Sequence, residues 1–600
     1  MKLNELFKCS AIMALCGVLA ACSADSGIPI DSKTRETMDV YNVSGDEESF
    51  SVDKAPAQDI NSIHLRDKDL LYANEDDTSV VTMYLTVSRG NSAENTDHTW
   101  EEINTYSVYD YEEMGVERYQ VAALLQVGDE NGPVAGEVGY GEKAPNATVQ
   151  IRGQTSSRNT QKNYKIELKD NKGTWNGQRT INLNKHQGDG TRFRNKLVYE
   201  LLQGIPQIMS MRTQFVHLYV KDNTQGTEGQ FEDYGLYTQV EQLNKRGLEA
   251  HGLDKNGHLY KINFFEFYRY EDVIMLETDP DYDLTAFEEL LEVKGDSDHT
   301  KLIAMLDALN NYTIPIEDVL EEYFDVENIA YWMAFQILIG NTDTQSRNMY
   351  IYSPQNSNTW YIIPWDNDKA FSITEYEMEE FIESGSWEAG ISNYWGNILF
   401  QRCLKSETFR AYLDDVIQEL REYLSVERLT ELTQRYAAVV KPYAYSMPDV
   451  MYMEFTEEEY DENVAAIPYE VEECYQRYLE SLEKPMPFYI GVPAIEGDKL
   501  VFTWDPAYDL DAEDIVYTVE LSSDYMFNDV IYSEENVVLP QVSVDIPETG
   551  QYFVRIRATN ESGYTQDAFD YYVTDAGKHY GMLSFYVNPD GTIGEDTYEE

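Results

Sequence analysis

NTDTQSRNMYIYSPQNSNTWYIIPWDND, residues 341–368, decides how this chain is read. It follows an apolar helical stretch, VENIAYWMAFQILIG (326–340), which ends in a glycine. The runs MYIYS and TWYIIPW flank the turn-rich PQNSN, the pattern of a β-hairpin with its turn near residue 356. That register sets Asn348 opposite about residue 364 and leaves Asp366 just beyond the open end of the hairpin. Asp343, Asn348 and Asp366 are therefore expected to converge, although an Asp followed five places later by an Asn carries little weight alone.

Such a convergence suits phosphoryl transfer. One acid orients or deprotonates an attacking hydroxyl, while an amide oxygen and a second carboxylate hold magnesium against phosphates. Asp343 is the candidate catalytic base, with Asn348 and Asp366 as metal ligands; the order Asp, then Asn, then a later Asp after a short hairpin is that of protein kinases. Asp368 is either a further ligand or a cap for the segment that follows.

Phosphates also need positive charge and N–H donors. IRGQTSSRNTQKNYKIEL (151–168) offers Arg152, Gly153, Ser156, Ser157 and Arg158 in a turn between two strands. On the second strand, alternation puts Tyr164, Ile166 and Leu168 on one face and Lys165 on the other, where it can face a cleft. Lys162 is its rival for the phosphate role, and Glu200, on the helical stretch 192–203, is a candidate anchor for that lysine. No GxxxxGK[ST] or GxGxxG loop is present.

The bulk composition narrows the classes. Six hundred residues suggest roughly three or four structural units, and 42% hydrophobic with 13% aromatic residues is enough to build cores. A formal charge of −63 repels nucleic-acid phosphates, so nucleic-acid binding is not expected. Lys2 and Lys8 precede an apolar run from Cys9 to Ala21 that is too short to span a bilayer, as in an export signal. Its end, Leu19-Ala20-Ala21-Cys22, resembles a bacterial lipobox, which makes Cys22 the expected lipid anchor and the cell envelope the expected location. Cys403 and Cys474 would remain, and an exported compartment permits them to pair. No His/Cys zinc pattern occurs, and DPDYD (279–283) lacks the Gly and Glu of a calcium loop.

The expected order is a signal (1–22), a flexible acidic tether (23–78), a mixed domain (79–485), a β module (486–575) and an extension (576–600). The mixed domain opens with short β-branched strands and continues in helices, giving an α+β class with a sheet-rich lobe and a helical lobe around a cleft. LVFTWDPA, IVYTVELSSD and GQYFVRIRATNESG resemble a fibronectin type III module, with Trp504 as core and Tyr552 near a corner.

Taken together, RGQTSSRNTQKNYKIEL, GLYTQVEQLNK (235–245), HLYKIN (258–263), NTDTQSRNMYIY and YIIPWDND resemble the spore-coat CotH kinase-like family over about residues 80–480. The resemblance implies an atypical protein-kinase fold that binds ATP with magnesium and phosphorylates Ser or Thr on secreted or coat proteins. It implies Asp343 as catalytic, Asp366 as metal-binding, Asn348 as a second ligand, and Arg152 with Lys165 on phosphates. The alternatives are a kinase-like surface scaffold without turnover and, more remotely, a glycan hydrolase with paired carboxylates, for which Asp366 and Asp368 lie too close in sequence.

Overall fold

Alternating buried and open positions build the first half. The computed structural model describes residues 64–73, 76–378, 382–384, 386–574 and 577–596. Cys22, the signal and most of the expected tether lie outside these residues. Strands β1 (Val80–Ser88), β2 (Val121–Asp129), β3 (Gly132–Pro133), β4 (Ala147–Arg152), β5 (Asn163–Leu168), β6 (Thr180–Asn184), β7 (Thr213–Asp222) and β8 (Phe231–Glu241) run in the order β1-β7-β8-β6-β5-β4-β2-β3. A further pairing of β1 with β2 closes seven of them into a barrel. Every second residue, among them Leu85, Leu125, Val149, Ile166, Leu183 and Leu218, fills its interior, as a small barrel requires.

The outer face of the barrel packs on the helical half through Phe215, Leu236 and Val240. There a four-stranded sheet, β10-β9-β11-β12, is built from β9 (His258–Ile262), β10 (Leu291–Val293), β11 (Met349–Ser353) and β12 (Tyr361–Pro364). Helix α1 (Arg194–Leu202) packs on β7, α2 (Val326–Leu338) packs on β12, and α3 (Ile373–Met378) packs on α4 (Glu457–Glu483), which also meets α2. The Asp325 side chain caps α2 by accepting from Asn328 N, and Asn328 through Leu338 are all buried, so α2 is a central rather than a surface helix. Gly340, with φ 63°, turns the chain out of α2 toward Asp343.

The C-terminal unit is two facing sheets with one core. Ala494–Glu496, Lys499–Thr503 and Gln541–Asp545 form one; Val530–Val537, Ile515–Ser522, Gly550–Asn560, Met582–Val587 and Ile593–Glu595 form the other. Trp504 is buried between them against Tyr517, and the Tyr552 hydroxyl donates to the Glu548 carbonyl at 2.9 Å.

Two expectations are corrected, and one question left open by the sequence is answered. Residues 577–596 are not an extension outside the β module: Met582–Val587 is a full strand beside Gly550–Asn560, supplying Phe585 and Val587 to the core. The expected tether is already anchored at its described start, because Leu65 is buried in the main core and its N–H donates to Asp325 at 3.3 Å. Cys403 and Cys474 are separate buried thiols, each enclosed by its own helix packing.

Candidate active site

The hairpin forms in nearly the expected register. Met349 faces Pro364, Tyr350 faces Ile363 and Tyr352 faces Tyr361; one rung further out, Trp365 N donates to the Asn348 carbonyl at 3.0 Å. The expected partner of Asn348 was thus one residue short, and Asp366 emerges at the open end as foreseen. Asn348 and Asp366 both adopt left-handed backbone, with φ of 57° and 51°, a region that Asn and Asp tolerate better than most side chains.

Asp343 lies across this opening. Asn348 Nδ2 donates to its carboxylate at 2.8 Å and to its carbonyl at 3.0 Å, so the amide oxygen Oδ1 is the end directed away from Asp343. Arg347 Nε sits 2.5 Å from the other carboxylate oxygen. Burial pushes the Asp343 carboxyl above its ordinary range despite Arg347, with the Asp368 charge adding to the rise. A carboxylate made more basic in this way is suited to accept a proton from a hydroxyl.

A buried amide network fixes the opening. Asn367 Oδ1 accepts from Gln336 of α2 and from Asn341, each at 3.3 Å, while its N–H donates to Asn195 of α1 at 3.2 Å. Phe371 N donates to the Ile339 carbonyl at 2.8 Å. The segment carrying Asp366 is thereby tied to both helices and to the start of the Asp343 loop.

Around Asp366 opposite charges gather from distant parts of the chain. Burial and the Asp368 charge push its carboxyl up to about 6, and Arg152, His186 and Lys261 oppose the rise. Burial works against ionisation of Asp368 too, but the His186 imidazole, 3.9 Å away, holds its carboxyl below the ordinary range. Arg152 comes from the end of β4 and bonds Asn184. Lys261 comes from β9, where it pairs with Tyr350 and lies 3.9 Å from Glu292. Tyr199 of α1 accepts the Asp366 N–H at 3.3 Å. Asp368 acts electrostatically on both Asp343 and Asp366, which places its charge near both carboxylates.

Other expected phosphate residues are placed differently. Ser157 is buried, accepting from Val108 N at 3.0 Å, and Lys162 Nζ donates to the Ser157 carbonyl at 2.6 Å; both brace the turn from within. Arg158 stacks on Tyr109 at 3.9 Å and is exposed. Ser156 accepts from Asn163 at 3.0 Å beside Gly153, whose φ of 87° and contact with Ser156 leave no space for a Cβ. Lys165 does share the outer barrel face with Gln150 and Asn182, its register partners, and hence with Arg152. Its Nζ, however, pairs with Glu167 at 3.3 Å, not with Glu200, which interacts with Lys196, Asp77 and Arg435. Lys261 and His186 were missed. The one signal for Lys261 was a lysine inside the apolar strand HLYKI.

Chemically, the centre offers a basic carboxylate, an amide oxygen, two further carboxylates and two cations, drawn from both halves of the domain. The family model described as CotH kinase protein matches residues 149–476, more than half of the chain, from β4 through most of α4. No curated protein matches. Among solved structures five chains match. One is the Shewanella oneidensis MR-1 toxin–antitoxin system HipA, HipB and its operator DNA complex, 13% identical with a TM-score of 0.21; the alignment covers 50% of this chain and 58% of that one. The chain belongs to the CotH kinase protein family.

Proposed function

We propose that this protein transfers the γ-phosphate of ATP to Ser or Thr of surface or secreted proteins, with magnesium, while held at the bacterial cell envelope by lipid on Cys22. The observation that carries the reading is that Asn348 Nδ2 bonds the Asp343 carboxylate while Asp366 follows directly on the hairpin's last rung, Trp365 N to the Asn348 carbonyl. Asp343 accepts the hydrogen bond of the incoming hydroxyl and takes its proton. Arg152 and Lys261 offset the negative charge of the phosphates. Asn348 Oδ1, Asp366 and Asp368 supply oxygens to a divalent ion, whose role when bound is to neutralise charge on the transferred group.

The residues fit magnesium in kind. Among the described residues no group of three or more His, Cys, Asp or Glu side chains could hold a metal ion by itself. Magnesium is commonly held by one or two carboxylates together with phosphate oxygens and water, not by an all-protein cage. An Asp366 carboxyl raised by burial and a neighbouring acid is a group that gains from a cation.

The C-terminal unit is read as a fibronectin type III-like module; three strands facing a larger sheet, a core Trp504 and the Tyr552 corner bond support it. The test of the function is transfer of labelled γ-phosphate to protein by wild type, lost in Asp343→Asn. Equal labelling by the two would reject it. A second reading, a kinase-like scaffold without turnover, draws on Arg347 occupying Asp343; ATP-dependent thermal stabilisation without any labelling would favour it.

A further inference from the structure

The turn Ser392–Tyr394 and its neighbours touch two things at once. On one side they hold the Asp343 loop. Asn393 Nδ2 donates to the Thr342 carbonyl at 3.1 Å, the Tyr394 hydroxyl bonds Thr344 Oγ1 at 3.1 Å, and Asn397 Nδ2 donates to the Gln345 carbonyl at 2.8 Å. These three bonds fall on residues 342, 344 and 345, on both sides of Asp343. All three side chains belong to buried residues, so water does not offer them an equivalent partner.

On the other side the same segment is gripped by the C-terminal module. Gln566 Nε2 donates to Ser392 Oγ at 3.0 Å in a buried contact, and Ser392 is the neighbour of Asn393. Trp395 packs tilted against Tyr508 at 5.3 Å, with Lys405 Nζ 5.2 Å from both rings. Trp387 Nε1 donates to the Phe569 carbonyl at 3.2 Å and packs edge-on against the Phe569 ring.

We infer that the C-terminal module positions the Asp343 loop, acting through residues 387–397, and that Gln566 and Tyr508 are positioning residues of the phosphotransfer site. The inference rests on the proposed kinase function for its activity readout only. The physical basis is a short, rigid path: module, one buried turn, loop. A displacement of about 1 Å at a reacting group is enough to cost on the order of 100-fold in rate. Loosening the grip of the module allows such a displacement without touching any group that meets substrate.

The test uses the full chain carrying Gln566→Ala with Tyr508→Ala, compared with wild type and with Val530→Ser on the exposed outer strand of the module. Hydrogen exchange of the amides at 342–347 is expected to accelerate at least about fivefold in the double variant at a temperature well below unfolding, and to stay unchanged in Val530→Ser. Label transfer is expected to show kcat reduced roughly tenfold, with KM for ATP within about twofold, since the groups on phosphate are untouched. Gln566→Asn, which keeps the amide one methylene shorter, is expected to retain more activity than Gln566→Ala. Unchanged exchange at 342–347 in the double variant overturns the inference, as does a fall in kcat matched by Val530→Ser. If wild type transfers no phosphate, the exchange measurement still decides this inference while the kinase reading fails separately.

Discussion

Trp365 N donates to the carbonyl of Asn348 at 3.0 Å, and beyond that rung the chain turns left-handed at both Asn348 and Asp366. The last bond of an ordinary hairpin therefore sets the distance between two halves of the candidate metal site. Backbone and side chain contribute separately at Asn348. Asn348→Gly keeps the φ of 57° accessible while removing the amide; Asn348→Ala removes the amide and adds backbone strain. Both are expected to lose transfer, but only Asn348→Ala should be further destabilised, by about 1 kcal/mol relative to Asn348→Gly. Denaturant midpoints of the two variants measure it; equal midpoints would refute the strain.

Asp366 gives a pH-dependent outcome. Its carboxyl is raised to about 6 from the ordinary 3.8, so the folded protein binds the proton more tightly than the unfolded chain, and this group favours folding increasingly as pH falls from above 6 toward 4. Above that range the buried charge is a liability. Asp366→Asn is expected to melt higher than wild type at about pH 8 in metal-free buffer, by on the order of 1–2 kcal/mol of stability, with the advantage vanishing below about pH 4. The same variant should lose thermal stabilisation by ATP with magnesium. A lower melting temperature at about pH 8 would count against the burial argument.

Two lysines separate phosphate binding from bracing. Lys261 interacts electrostatically with Asp366, whereas Lys162 donates to a backbone carbonyl inside the 153–163 turn. Lys261→Ala is expected to raise KM for ATP about tenfold or more with a small change in stability. Lys162→Ala should leave KM for ATP within about twofold and lower stability by about 1–2 kcal/mol through the lost buried bond. The reverse pattern in steady-state kinetics would exchange their roles.

Arg194, at the start of α1, is buried and bonded to Asp189, Asn463 of α4 and Glu375 of α3, so it binds three elements at one point. Arg194→Met leaves Asp189 and Glu375 buried without their cation and is expected to cost about 3–5 kcal/mol. Chemical denaturation would measure this, and a loss under about 1 kcal/mol would show that the acids had found other partners.

The candidate site was legible in the sequence where distance along the chain is short. Asp343, Asn348 and Asp366 lie within one helix exit and one hairpin, and counting residues from the turn placed them to within one position. The face taken by Lys165 followed from alternation alone. Lys261 and His186 were not legible, because a strand and a loop far away along the chain bring them in and nothing local marks their direction. The turn at 153–163 misled for the opposite reason: a hydroxyl-rich loop reads the same whether its side chains face a ligand or, as with Ser157, bond inward. Barrel closure was equally hidden, since it depends on β1 meeting β2 across a helical excursion.

Phe569 and Tyr580 are contributed by the C-terminal unit, yet both lie in the same apolar cluster as α2 and the helical half. The boundary expected between residues 485 and 486 is therefore bridged by a shared apolar core. In evolutionary terms, a module grafted in this way cannot be shuffled freely between proteins, because each exchange would have to bring its own replacement for two side chains buried in its neighbour's interior.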